Sequence, residues 1–278
     1  MSERGSRNLA KNDPRSRNGS GGQCLSRNFE LLSQVGKMRD VVQTSEAPLA
    51  PILEETGDEP VVLTATLSVP GAVRDEIVKL VRNLFFAPGD NAPRRVVFTG
   101  TESGTGCSWI CAHTAEILAS QVHGSVCLVD CSMRAPSLHQ RFDVPNQLGL
   151  ADALSDPGPL RPYLQRLSRS NLWLLSAGSA QDGQPTLINS ESMRARLAEL
   201  YAQFDYVLMD VAALNSCNDG IALGSSADGV VLVVRANASR REIARKALEE
   251  LQAANVPALG VVLNQRTFPI PPAIYKFF

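Results

Sequence analysis

Nowhere in this sequence of 278 residues is there an apolar run long enough to cross a bilayer, so no membrane-spanning helix is expected. The N-terminus is polar, rich in Ser, Arg, Gly and Asn. It lacks the apolar stretch of a secretory signal, and none is expected. An excess of one charge is missing too: the net charge is -1, so nothing global points to nucleic acid or to an acidic substrate. Six cysteines are present (Cys24, Cys107, Cys111, Cys127, Cys131 and Cys217), but no Cys-x-x-Cys pair. Most lie inside expected regular structure, which fits reduced, cytoplasmic usage better than a disulfide framework. There is no internal repeat.

Hydrophobic residues make up 44% of the chain and charged residues 20%, enough for one large core plus an extension. Local charge is uneven. Residues 1–40 hold eight Lys/Arg against four acids, and residues 41–60 hold five acids and no base. Residues 1–26 read as disordered. Residues 28–43 place Phe29, Leu32, Val35, Met38 and Val42 on one helical face, and a Pro- and acid-rich linker follows at 46–60. The division expected is therefore 1–60 as a helical or disordered extension with its linker, and 61–278 as the main domain. A second amphipathic helix is expected over 73–86, with Val73, Ile77, Leu80 and Leu84 at heptad-like spacing, ended by Pro88-Gly89-Asp90.

From Arg95 onward the pattern alternates. Apolar strands are expected at 95–99, 125–130, 171–176, 205–210, 229–235 and 258–264, with helices at 108–121, 191–203 and 239–254. Continuous Val/Leu runs joined by helical crossovers predict an α/β fold: a mainly parallel sheet with helices on both faces.

The first strand ends in Gly100-Thr101-Glu102-Ser103-Gly104-Thr105-Gly106-Cys107-Ser108, where a helix begins. A strand, a glycine-rich turn and a helix make a phosphate cradle, because glycines let the backbone wrap closely and free N–H groups face the anion. A full Walker A loop ends in Gly-Lys-Ser/Thr. Here Cys107 takes the place of the lysine, and Ser108 remains as a candidate Mg²⁺ ligand. A plain glycine-rich turn is the alternative for the loop taken alone. Asp130 ends the strand that follows the loop's helix, and Asp210 ends a later one. Ligands bind at that edge of an open α/β sheet, and carboxylates there can hold Mg²⁺. Either Asp alone also fits a turn, but three features in this order on one edge fit a site better. Cys107 at a helix N-terminus is expected to have a lowered thiol pKa.

Residues 95–265 resemble the cytoplasmic tyrosine autokinases of bacterial capsule and exopolysaccharide systems, relatives of the ParA/MinD P-loop ATPases. The Walker A resembles 100–108, the Walker B resembles 206–210, and the Asp-x-Asp-x-Arg…Pro motif resembles Asp130-Cys131-Ser132-Met133-Arg134-Ala135-Pro136. The connecting segment resembles 138–142 and 146–154, and Glu76-x-x-Lys79-x-x-Arg82 resembles the family's oligomerisation helix. The resemblance implies a P-loop NTPase-like fold. It implies ATP held by Gly104, Thr105, Gly106, Cys107 and Ser108, and Mg²⁺ near Ser108, Asp130 and Asp210. Arg134 would supply positive charge and Asn264 would read adenine. Implied partners are a membrane polysaccharide co-polymerase of the chain-length determinant type and other copies of the chain, at the inner face of the cell membrane.

The departures from that family are as informative. Besides Cys107, Glu102 stands where ParA/MinD relatives have a signature Lys, and Ser132 replaces the second acid. Val211-Ala212-Ala213 replaces the usual Thr/Ser-Pro-Pro, and the tail at 267–278 has only Tyr275 in place of a tyrosine cluster. Asp130 and Asp210 thus read as vestigial catalytic residues, and the expected protein is a catalytically impaired regulatory subunit with ATP and Mg²⁺ binding weakened or lost. The alternatives are an active autokinase with a rearranged site and a ParA/MinD-like positioning ATPase. The apolar tail is expected to dock on the domain, on a partner or on a membrane.

Overall fold

The computed structural model describes Leu67 and residues 71–88, 92–167, 171–179 and 190–266. All belong to Met38–Phe278, one of two units into which the chain divides. The extension over 1–26, the helix at 28–43, the linker, the 60/61 boundary and the tail with Tyr275 lie outside the described residues.

The elements run α1 (Gly71–Phe85), β1 (Arg95–Gly100), α2 (Cys107–Gln121), β2 (Val126–Asp130), α3 (Leu138–Arg141) and α4 (Leu150–Ser155). A 3₁₀ turn at Arg161–Tyr163 leads to β3 (Leu164–Arg166) and β4 (Leu172–Leu175). Then come α5 (Glu191–Gln203), β5 (Tyr206–Val211), α6 (Asp219–Gly224), β6 (Gly229–Arg235), α7 (Arg241–Ala253) and β7 (Ala258–Asn264). The strands form one seven-stranded sheet in the order β3-β4-β2-β5-β1-β6-β7. Every pairing is parallel except β3 with β4. This is the α/β, P-loop NTPase-like architecture.

The runs of the inner strands are apolar at consecutive positions because both faces of the sheet are covered there. Val96 and Phe98 enter one core and Val97 the other, and Val126 and Leu128 divide from Cys127 and Val129 in the same way. Helices α1 and α2 close the first face. Helices α4 and α5, with Leu223 of α6 and Leu251 of α7, close the second.

Helix α1 is rotated from the expected face: Ile77, Val81, Leu84 and Phe85 are buried, while Val73 is 38% exposed. Phe85 meets Tyr206 of β5 edge-on, with ring centroids 5.9 Å apart. Strand β1 lies between β5 and β6. Asp228 fixes its start by accepting the N–H groups of Arg94 at 2.6 Å and Arg95 at 2.8 Å.

Candidate functional site

The loop after β1 is pinned at its start to both sides. Thr101 donates its N–H to the Val233 carbonyl at 3.1 Å, and Leu214 donates its N–H to Gly100 O at 2.9 Å. Gly104 and Gly106 have φ of 82° and 80°, the left-handed region that side chains rarely adopt. Gly106 is also the N-cap of α2, so no side chain satisfies the helix's first N–H groups. A Cβ at Gly106 would collide with the Asn264 side chain, and one at Gly100 with the Thr105 hydroxyl. The loop is therefore a close-wrapped backbone turn with the open end of a fifteen-residue helix facing out of it.

The ends of β2 and β5 stand beside it. Asp130 and Asp210 are register partners on these adjacent strands, and Phe98 of β1 is the partner of Asp210 on its other side. Both carboxylates are buried. Their surroundings differ, however. Asp130 accepts three backbone N–H groups, from Ser132 on Oδ1 and from Ser137 and Leu138 on Oδ2, each at 3.1 Å. Neither oxygen of Asp210 has a hydrogen-bond partner. Burial first, and the neighbouring Asp130 carboxylate second, push the Asp210 carboxyl up to about 7. Ser108, Cys107 and Arg141 oppose that shift through their proximity, the first two without reaching hydrogen-bond geometry. Burial also raises Asp130, against its three N–H donors.

Cys107 does not become an easy thiolate. Burial and the nearby Asp210 carboxylate push its thiol well up, so the expectation of a lowered pKa from the helix end is corrected. Two adverse effects outweigh a helix field that acts only within its first turn. Cys107, Cys111, Cys127, Cys131 and Cys217 are all free thiols.

The remaining expected residues are distributed as follows. Ser108 sits in the first turn of α2, close enough to Asp210 to favour its ionised form. Thr105 is buried, and Asn264, at the end of β7, donates its amide to Thr105 O at 2.8 Å. Asn264 Oδ1 accepts the Gln265 N–H at 2.8 Å, so both ends of this side chain hold backbone. Arg134 is exposed, and its charge acts on Cys217, in the loop after β5. Ser132 is buried in the turn after β2, where its hydroxyl donates to Ala135 O at 3.5 Å.

Two further residues at this edge were not expected from the sequence. Gln265 donates its side-chain amide to Gly104 O at 3.2 Å. Arg235, the last residue of β6, brings its guanidinium close to Gly104, with Nη1 3.9 Å from where a Cβ on that residue would stand. The Asn-Gln pair closing an apolar run was the available signal for the first, and nothing local signals the second.

A glycine-rich turn between an inner strand of a mainly parallel sheet and a helix, with Asp210 on the neighbouring strand and Asp130 on the strand beyond it, is the arrangement of the P-loop NTPase-like fold. The sequence model of the family described as "Cellulose biosynthesis protein BcsQ" matches residues 94–259, and the chain belongs to that family. It is also a relative of the bacterial tyrosine kinases. Tyrosine-protein kinase YwqD of Bacillus subtilis is 29% identical over 199 residues, which are 71% of this chain and 84% of YwqD. The crystal structure of the chimerical protein CapA2B2 superposes with a TM-score of 0.68 at 22% identity, over 87% of this chain and 100% of that one. A ParA family ATPase from Chlorobium tepidum shares the fold at a TM-score of 0.54 and 21% identity, over 63% of this chain and 75% of that one. No helix among the described residues is long and apolar enough to cross a membrane.

Proposed function

We propose that this chain is a nucleotide-binding regulatory subunit of bacterial exopolysaccharide production, kinase-like in fold and impaired in phosphoryl transfer. One observation carries the reading. A closed glycine cradle stands beside an unpartnered, buried Asp210, while a cysteine occupies the lysine position between them. The backbone of Gly104, Thr105 and Gly106, the first turn of α2 and the Ser108 hydroxyl suit a polyphosphate. An accompanying Mg²⁺ would be held by Asp210 and Ser108, and it would supply the charge neutralisation that phosphates need. Two orphaned buried carboxylate oxygens fit such an ion. Asp130, with its oxygens already accepting three N–H groups, shapes the loop behind Asp210.

The family's description supports a polysaccharide role, and kinship with tyrosine-protein kinase YwqD supports a kinase-type site. The impairment rests on chemistry. The transferring phosphoryl group loses a lysine at 107, and the attacking hydroxyl loses a general base at 132. Arg134 stays a candidate for residual charge, and Asn264 for contact with the base. The proposed setting is the cytoplasmic face of the membrane, bound to a polysaccharide co-polymerase of the chain-length determinant type and to other copies through α1. The domain is proposed to span 61–278.

Calorimetry with Mg-ATP and Mg-ADP, combined with phosphotyrosine detection on the purified full chain, tests this. Nucleotide binding without self-phosphorylation is expected. Robust phosphotyrosine that Asp210→Ala removes would establish an active kinase with a rearranged site instead. No binding at millimolar nucleotide would leave a pure interaction scaffold.

A further inference from the structure

The candidate site is short of positive charge. Glu102 lies in the loop, Asp130 and Asp210 lie beneath it, and residue 107 is neutral. A polyphosphate approaching α2 meets the helix's partial charge and little else from residues 100–108. The neighbouring strand changes this. Gly100 is the register partner of Val233, and Thr101 N–H donates to Val233 O at 3.1 Å. Two residues further along, β6 ends in Arg235, level with the loop. A Cβ built on Gly104 would stand 3.9 Å from Arg235 Nη1. Because Gly104 has no side chain, nothing of its own separates the guanidinium from the loop backbone. Arg235 is exposed, and among the described residues it forms no ion pair with a carboxylate.

We infer that Arg235 supplies, from the adjacent strand, the phosphate-directed cation that position 107 lacks. This rests on the nucleotide reading of the cradle and deepens it by assigning the charge that holds the phosphates. A guanidinium suits that role, since it stays protonated at all working pH values and presents several donors to phosphate oxygens. The other nearby arginines are placed differently. Arg141 acts on Asp210, where it favours the carboxylate, and Arg134 acts on Cys217. Arg235 reaches the loop at Gly104 and, among the described residues, pairs with neither Asp130 nor Asp210, so its charge is available to a ligand in the cradle. It is a binding and positioning residue, and nothing in its place makes it a general base.

The test is calorimetric affinity for Mg-ATP, at fixed ionic strength, of the wild type, Arg235→Gln, Arg235→Lys, Cys107→Lys and the double variant Cys107→Lys/Arg235→Gln. Arg235→Gln is expected to weaken binding about tenfold or more, the scale of one charge-assisted hydrogen bond. Arg235→Lys is expected to keep part of that affinity. In the Cys107→Lys background the Arg235→Gln loss is expected to shrink, because the loop then carries its own cation. A purely structural role for Arg235 would give the same loss in both backgrounds and would overturn the inference. An Arg235→Gln affinity within about twofold of a wild type that binds would also overturn it, while leaving the nucleotide reading intact. A wild type that binds no nucleotide would remove that reading and this inference together.

Discussion

Asp130 and Asp210 are the same residue type, at the ends of adjacent parallel strands, in register and buried to the same degree. They nevertheless do different work. Asp130 organises the turn from Ser132 to Leu138 by accepting three N–H groups that would otherwise be buried without a partner. Asp210 organises nothing visible; its oxygens face Ser108 and Cys107 without a hydrogen bond. A carboxylate that builds structure is saturated from its own chain. One left unsatisfied lowers stability, and under the proposed function a bound Mg²⁺ would satisfy it.

The largest expected effect breaks the pair apart. Asp130→Asn turns an amide N–H₂ toward at least one of the three donors. The loss should be about 2–4 kcal/mol of folding stability, since unpaired buried groups are lost along with charge-assisted bonds. Asp210→Asn removes a buried charge that nothing satisfies, and stability at neutral pH should be unchanged or higher. Urea midpoints of the two variants, measured without nucleotide or divalent cation, decide this. Equal losses would mean that Asp210 has a structural partner after all.

A pH series sharpens the same contrast. The Asp210 carboxyl is raised from 3.8 to about 7, so between those values the folded state holds a proton that the unfolded state has released. Its contribution to stability is present below the lower value, fades as pH rises through the window, and is gone above about 7. Relative to Asp210→Asn, the wild type should therefore lose stability between acid and neutral pH, by roughly 4 kcal/mol at most. Taking the difference cancels groups remote from the pair and leaves the titration of Asp210 together with its coupling to Asp130. Millimolar Mg²⁺ with nucleotide should flatten the slope, because a cation stabilises the ionised carboxylate. A flat difference in apo protein would place water or another donor on Asp210.

Much of this architecture was legible in the residues. The Val/Leu runs of β1, β2, β5 and β6 are apolar at nearly every position and buried on both faces of the sheet, whereas the edge strand β7 leaves Val261 and Leu263 exposed. Loop 100–108 and the acids at two strand ends therefore fell on one edge. The short β3 (Leu164–Arg166) was not legible, because three residues of mixed polarity become a strand only through antiparallel pairing with β4. Helices of four to six residues such as α3, α4 and α6 have too few turns for a period to register. The difference between Asp130 and Asp210 was hidden for another reason. Each ends an apolar run, and only the folded turn at 132–138 shows which of them has donors. Arg235 and Gln265 reach the loop through the sheet order, which no local pattern encodes.

The smallest expected effect concerns the loop's own support. Asn264 donates to Thr105 O and accepts from Gln265 N–H, so its side chain braces the cradle from the end of β7. Removing it in Asn264→Ala takes away both hydrogen bonds, one of them only to the next residue, for roughly 1–2 kcal/mol of stability. The informative readout is the ratio of ATP to GTP affinity. If Asn264 acts by holding the loop, its loss should weaken both nucleotides alike and leave the ratio unchanged, because the phosphates they share are what the cradle meets. If it reads the base, ATP should suffer more than GTP and the ratio should fall. With the carbonyl and amide of Asn264 both engaged on backbone, an unchanged ratio is the outcome expected. A fall in the ratio would mean that the amide leaves Thr105 when nucleotide arrives, and that the cradle is finished by its ligand and not built in advance.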